Sequence, residues 1–219
     1  VLKMYAYEIA MLTGVPVHFN GKKLVIKTLE NYCRLFYPDK SKHHMSRLEL
    51  DSGDECVIVE GDAPEIDDME KIKHISFVNG IQTSNGGIHV DAWESTVVTQ
   101  FVKFFNSQKP KKGKEPLPKV SGKQIKPYLM LFIRVEIDKP QFGTQTKDQL
   151  TGPVYKIRNT KEFKLTLQAI FKKMLRWNFI SMLEDKLLAK VQNAQKRQEG
   201  STRHVRGKGV RDANKAVTK

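Results

Sequence analysis

The chain has 219 residues, 39% hydrophobic and 9% aromatic, enough for one large or two small domains with a sizeable core. Its 38 Lys and Arg against 24 Asp and Glu give a net charge of +14, which favours a polyanionic partner, nucleic acid before anionic membrane. No apolar run reaches the roughly 20 residues of a bilayer span, and two cysteines, Cys33 and Cys56, offer neither metal spacing nor a disulfide framework. Membrane-spanning helices and secreted disulfide scaffolds are thereby excluded, and a reducing, intracellular compartment is expected.

Leu2, Tyr5, Ile9 and Leu12 recur at helical spacing, and Gly14 supplies a stop. Val15 to Phe19 reads as a strand, Asn20-Gly21 as a hairpin turn and Lys22 to Lys27 as the returning strand. Leu29, Tyr32, Leu35 and Phe36 suggest a short helix ending at Pro38. His43-His44 does not make a metal site, because adjacent histidines rarely face one ion. Leu48 to Leu50 and Cys56 to Val59 read as strands of a meander, and the acidic run Asp62 to Glu70, Asp67-Asp68 included, as a solvated loop.

Ile72 to Asn79 is a further strand. Asn85-Gly86-Gly87 then turns into an amphipathic helix from about Ile88 to Asn106, with Val90, Trp93, Val97, Phe101 and Phe104 on its apolar face. The double glycine lacks the spacing of a nucleotide-cradling loop and is read as a tight strand-to-helix turn. Lys109-Pro110-Lys111-Lys112-Gly113-Lys114 disfavours regular structure, and its lysines suit phosphate contacts that ignore base sequence.

Leu129 to Asp138 alternates with a period of two, as a half-buried strand does, and Pro140 stops it. Gly143 permits a sharp loop carrying Gln145, Thr146 and Lys147: an amide, a hydroxyl and a flexible point charge. Lysine binds phosphate readily, with three donors on a long stem. A helical region from about Thr160 to Gln198 follows, with Thr160 as N-cap and a break near Trp177–Asn178. The basic, glycine-containing stretch after it, Arg203 to Arg211, reads as a linker. A chain that opens inside a helical pattern and closes on a basic tail is expected to be part of a longer protein.

Ser76-Phe77-Val78-Asn79-Gly80 with Asn85-Gly86-Gly87-Ile88-His89-Val90-Asp91 resembles the strand-turn-helix of type IIA DNA topoisomerases, of eukaryotic or viral type. Pro140-Gln141-Phe142 with Gln145-Thr146-Lys147 and Leu150-Thr151 resembles their Gln-Thr-Lys loop. Phe19 to Leu24 resembles the end of their ATPase domain, and Asp212-Ala213-Asn214 the stretch before their TOPRIM domain. Gly143-Thr144 departs from the common Asp-Ser ahead of the Gln-Thr-Lys.

This resemblance implies an α/β (α+β) fold in three parts. Residues 1–39 would be the C-terminal edge of a GHKL (Bergerat) ATPase domain. Residues 40–198 would be a transducer domain of ribosomal-protein-like fold with a left-handed βαβ crossover and a long C-terminal helix. Residues 199–219 would be a basic linker toward the TOPRIM domain. It also implies ATP and Mg²⁺ as cofactors, held mainly outside this chain, with Lys147 touching the γ-phosphate, Gln145 beside it and Thr146 shaping the loop. Lys109, Lys111, Lys112 and Lys114 would contact double-stranded DNA. The complete enzyme would be a homodimer in a nucleus or a viral or phage replication compartment, and this chain alone would be inactive. The alternatives are the transducer-like domain of another GHKL machine, of the mismatch-repair or chaperone type, and a non-enzymatic nucleic-acid-binding domain.

Overall fold

The computed structural model describes residues 2–62, 64–65, 68–108 and 117–216, with side chains to residue 197. Helix α1 (Leu2–Thr13) leads into a small hairpin, β1 (Val17–Phe19) and β2 (Lys22–Leu24). Asn20 and Gly21 turn it with φ of 49° and 74°, as the Asn-Gly pair predicts. Helix α2 (Leu29–Phe36) starts where the Thr28 hydroxyl accepts from Asn31 N.

A five-stranded sheet follows, built from β3 (Met45–Glu49), β4 (Glu55–Glu60), β5 (Lys73–Val78), β6 (Ile81–Gln82) and β7 (Leu129–Val135), in the order β3-β4-β7-β5-β6. β5 and β7 run parallel, with Lys73 opposite Met130 and Val78 opposite Val135; the other pairings are antiparallel. Parallel neighbours need a crossover. Here it contains α3 (Ile88–Glu94), a π-helical turn (Ser95–Thr99), α4 (Gln100–Asn106), the short α5 (Gly122–Ile125) and a 3₁₀ turn (Lys126–Tyr128).

Both faces of the sheet are covered. On one, Met11, Leu29, Tyr32 and Cys33 of α1 and α2 pack with Val57, Val59, Phe77 and Phe132. On the other, Cys56, Ile58, Leu131 and Ile133 are equally solvent-free, as are Trp93, Val97 and Phe101 of the crossover helix. β7 is therefore a central strand buried on both sides, not the half-buried strand that its alternation suggests.

The periodicity of Leu2, Tyr5, Ile9 and Leu12 gives the helix α1, and the structure shows which face it buries. Ala6, Ala10 and Met11 are buried, whereas Leu2, Tyr5 and Ile9 are 74%, 53% and 53% exposed. The small alanines let the helix approach its neighbours, and the larger apolar residues point away.

After β7 comes a second hairpin, β8 (Gln141–Phe142) and β9 (Leu150–Gly152), then α6 (Lys161–Met174). The Thr160 hydroxyl caps α6 by accepting from Phe163 N at 3.1 Å. α6 packs over the crossover helix through Trp93–Phe163 and Phe101–Phe171 ring pairs at 6.5 and 5.4 Å. Turn-type bonds from Arg176 N to Lys173 O and from Trp177 N to Met174 O end it, giving the expected break.

Helix α7 (Asn178–Ala216) begins against β4. The fully buried Glu60 carboxylate accepts from Phe179 N at 2.6 Å and, through its other oxygen, meets His44 Nδ1 at 2.6 Å. An anion at a helix start complements the unsatisfied N–H groups and the dipole. Helical backbone continues to Ala216, through the stretch read from sequence as a linker. Arg, Lys and Ala favour helix there, and a glycine in a helix costs only about 1 kcal/mol. Residues 1–108 with 120–180 form one compact unit, and residues 109–119 with 181–219 form another. No helix among the described residues is long and apolar enough to cross a membrane.

Candidate functional site: the Gln-Thr-Lys hairpin and the double-glycine turn

Loops leaving the C-terminal ends of parallel strands are where α/β proteins commonly bind ligands. Here the loops after β5 and after β7 meet. At the strand ends, Asn79 N donates to Val135 O at 3.0 Å, and the Asn79 side chain donates to Ile137 O and accepts from Ile137 N, both at 2.8 Å. One asparagine thus holds the exit of β7 beside the exit of β5.

The chain then forms the β8–β9 hairpin, with Gln145, Thr146 and Lys147 all exposed on its connection. Lys147 sits in the left-handed region at φ 57°, and its N–H donates to Thr144 O at 3.1 Å. Its ammonium lies 5.9 Å from the centre of the Phe142 ring. The Thr144 and Thr146 hydroxyls are 2.8 Å apart, and Thr144 also donates to Asp148. The tip is thereby braced while its amide and ammonium face outward.

Asp148 fixes the hairpin to the double-glycine turn. Asn85 Nδ2 donates to Asp148 Oδ2 and Asn85 N to Asp148 O, each at 2.8 Å, and Leu150 N donates to Gly86 O at 3.0 Å. Gly87, at φ 124°, lies against Leu150 so closely that a Cβ there would fall 2.1 Å from the Leu150 carbonyl oxygen. This agrees with the reading of the double glycine as a tight turn into a helix. Sequence reasoning did not find the latch: Asn85 and Asp148 are polar surface types 63 positions apart.

Beneath the turn lies a buried polar chain. Thr83 Oγ1 is 2.7 Å from Ser76 Oγ and 3.2 Å from Nε2 of the fully buried His89. Burial first, and the nearby His74 second, push the His89 pKa down from 6.5 to about 4. The unfolded chain then takes up a proton near pH 6.5 that the folded chain refuses until about pH 4. Stability is complete above 6.5 and falls as pH drops through that window, by up to about 3 kcal/mol. Melting temperature measured between pH 7 and 4 should show this slope, and His89→Phe should flatten it.

The site offers donors for an anion and little for a cation. No group of three or more His, Cys, Asp or Glu that could hold a metal occurs among the described residues. Lys109, Lys111, Lys112 and Lys114 lie outside the described residues, as does Asp67 of the acidic loop.

Residues 30–206 match the family model of DNA gyrase B. The chain belongs to the DNA gyrase B family. The relatives it matches include DNA topoisomerases 2. It is 36% identical over 204 residues to the DNA topoisomerase 2 of Invertebrate iridescent virus 6, covering 85% of this chain and 17% of that protein. Against the DNA topoisomerase 2 of Saccharomyces cerevisiae it is 28% identical over 237 residues, covering 100% and 16%. The chain thus spans less than a fifth of the length of these relatives. The ATPase and transducer domains of Balamuthia mandrillaris DNA topoisomerase II share the fold at a TM-score of 0.62 and 23% identity, over 87% of this chain and 44% of that one. The ATPase region of Saccharomyces cerevisiae topoisomerase II shares it at 0.61 and 23%, over 83% and 43%. The expected α/β fold agrees with these neighbours.

Proposed function

We propose that the chain is the sensing and transmitting segment of an ATP-dependent type II DNA topoisomerase, a homodimer that passes one DNA duplex through another. Residues 1–39 form the edge of the nucleotide-binding domain, 40–198 the transducer and 199–219 the connection toward the cleavage region. The uncovered apolar side of α1, Leu2, Tyr5 and Ile9, supports the first of these assignments.

The observation that carries the reading is the posture of Lys147. It is a surface lysine at the tip of a hairpin that is latched to a second motif by side-chain and backbone bonds. A lysine serving only solubility needs no such bracing. Lys147 would meet the terminal phosphate of ATP, with Gln145 donating beside it and Thr146 keeping the turn in shape. The donor set fits: an ammonium and an amide suit phosphate oxygens. ATP with Mg²⁺ supplies the phosphoryl group whose loss the hairpin would register. Lys147 would stabilise charge on the terminal oxygens in a site shielded from water. Once those oxygens leave, its partner is gone, so the hairpin has two preferred positions. The braces to β5, β7 and the crossover helix make that displacement one of the whole sheet. Lys109, Lys111, Lys112 and Lys114 would add sequence-independent contacts to DNA phosphates.

Coordinates of the complete enzyme with a non-hydrolysable ATP analogue test this. Lys147 Nζ is expected at about 2.8 Å from a terminal phosphate oxygen, the usual charge-assisted distance; an ammonium left in bulk solvent would refute the role.

A further inference from the structure

The charge of this chain is unevenly paired. Several basic side chains on and around the sheet have acidic partners: Arg47 with Glu49 and Glu55, Arg134 with Glu55, Lys126 with Glu94, Lys123 with Glu70. Helix α6 is different. Lys161, Lys164, Lys172 and Lys173 are exposed, and no ion pair involves any of them among the described residues. Arg176 just after the helix and Lys156 and Arg158 just before it are exposed as well, and Glu162 is the one acid between 156 and 176.

These residues share a side. Phe163, Leu167, Ile170, Phe171 and Met174 are buried, which fixes the rotation of the helix. At 3.6 residues per turn, Lys161, Lys164, Gln168 and Lys172 then fall in one stripe about 80° wide along one flank of the helix, its centre about 110° from the centre of the buried side. The stripe gives the helix nothing internally. Lys161 and Lys164 stand in the first turn, where the dipole disfavours cations. The pair Lys161–Lys164 repels at helical spacing, by a few tenths of a kcal/mol. Lys172 and Lys173 in the last turn suit the dipole, so the first-turn lysines are what helix stability leaves unexplained.

We propose that the basic flank of α6 is a docking surface for double-stranded DNA, gripping its phosphates and ignoring its bases. Complementarity of charge and of length supports this occupant. From Lys161 to Lys172 is about 16 Å at 1.5 Å per residue, and that length of duplex carries roughly five phosphates per strand. Gln168 in the gap can donate to a phosphate without charge. The contact needs no nucleotide and is separate from the role of Lys147.

The experiment uses the 219-residue chain, a fluorescent 30-base-pair duplex of arbitrary sequence, and anisotropy titrations from 50 to 300 mM salt. Neutralising Lys161, Lys164 and Lys172 together to Gln should weaken binding at least about tenfold near 100 mM. It should also reduce the steepness of log K against log salt by about 2 to 3, at roughly 0.9 per phosphate lost. The same three changed to Arg should keep both. The residues are exposed, so melting temperature should hold in all variants. An unchanged affinity and slope in the Gln variant, binding lost only when Lys109, Lys111, Lys112 and Lys114 are neutralised, or binding to anionic vesicles but not to duplex would each overturn the proposal.

Discussion

Replacing Lys147 by alanine in the complete enzyme is expected to lower ATP turnover at least about 100-fold, the loss seen when one preorganised donor to developing charge is removed. Nucleotide affinity should change far less, because a contact that tightens in the transition state acts on kcat more than on ground-state binding. The fold should survive. Among the described residues the ammonium makes no hydrogen bond, only its approach to the Phe142 ring, and exposed substitutions of this kind usually stay within about 0.5 kcal/mol. The left-handed φ of 57° is kept by alanine at a cost similar to that for lysine. Turnover and DNA strand passage measured side by side would check this. Strand passage at the normal rate in the alanine variant would remove Lys147 from the mechanism.

The second large effect concerns stability. Gly87→Ala should be among the most destabilising single changes available in this chain. A positive φ of 124° already disfavours any side chain. A new Cβ would also meet Leu150 oxygen, nitrogen and carbon at 2.1, 2.7 and 2.9 Å, all backbone atoms that no rotamer change can move. The turn and β9 would have to separate, taking the Leu150–Gly86 bond and the Asn85–Asp148 latch with them. A loss above about 4 kcal/mol is expected, in the tail of single-mutation effects, and a melting temperature lower by about 10 °C. Gly80→Ala is the internal control. Gly80 has φ 78° but open space around it, so only the conformational cost of about 1 kcal/mol should appear. Equal shifts in the two variants would mean that packing against Leu150 does not matter.

Local chemistry was readable along the chain wherever one residue dictates a backbone state. Asn20-Gly21 makes its turn, Thr160 caps its helix, and the Gln-Thr-Lys motif lies on the connection between two short strands. What stayed hidden depends on partners distant in sequence. Periodicity in α1 marks an apolar side but not which body covers it: Leu2, Tyr5 and Ile9 stay exposed while Ala6, Ala10 and Met11 are buried. Alternation in β7 cannot reveal that the polar-looking side of a central strand is also covered. Asp148 and Glu60 are ordinary carboxylates in the sequence. Only folding places one on Asn85 and the other at the first turn of α7.

The π-helical turn between α3 and α4 sets the angular phase of the crossover. Trp93 and Phe101 are both solvent-free, yet eight residues overshoot two regular turns by about 80°. The wide turn at Ser95–Thr99 absorbs that surplus, so both rings can point inward from one rod. Winding the same residues as plain α-helix would swing everything downstream by those 80° and turn Phe101, the ring that abuts Phe171 of α6, away from the side that Trp93 faces, although no side chain had been removed. Deleting one residue of the turn leaves seven, within about 20° of two regular turns, so Phe101 should keep its place.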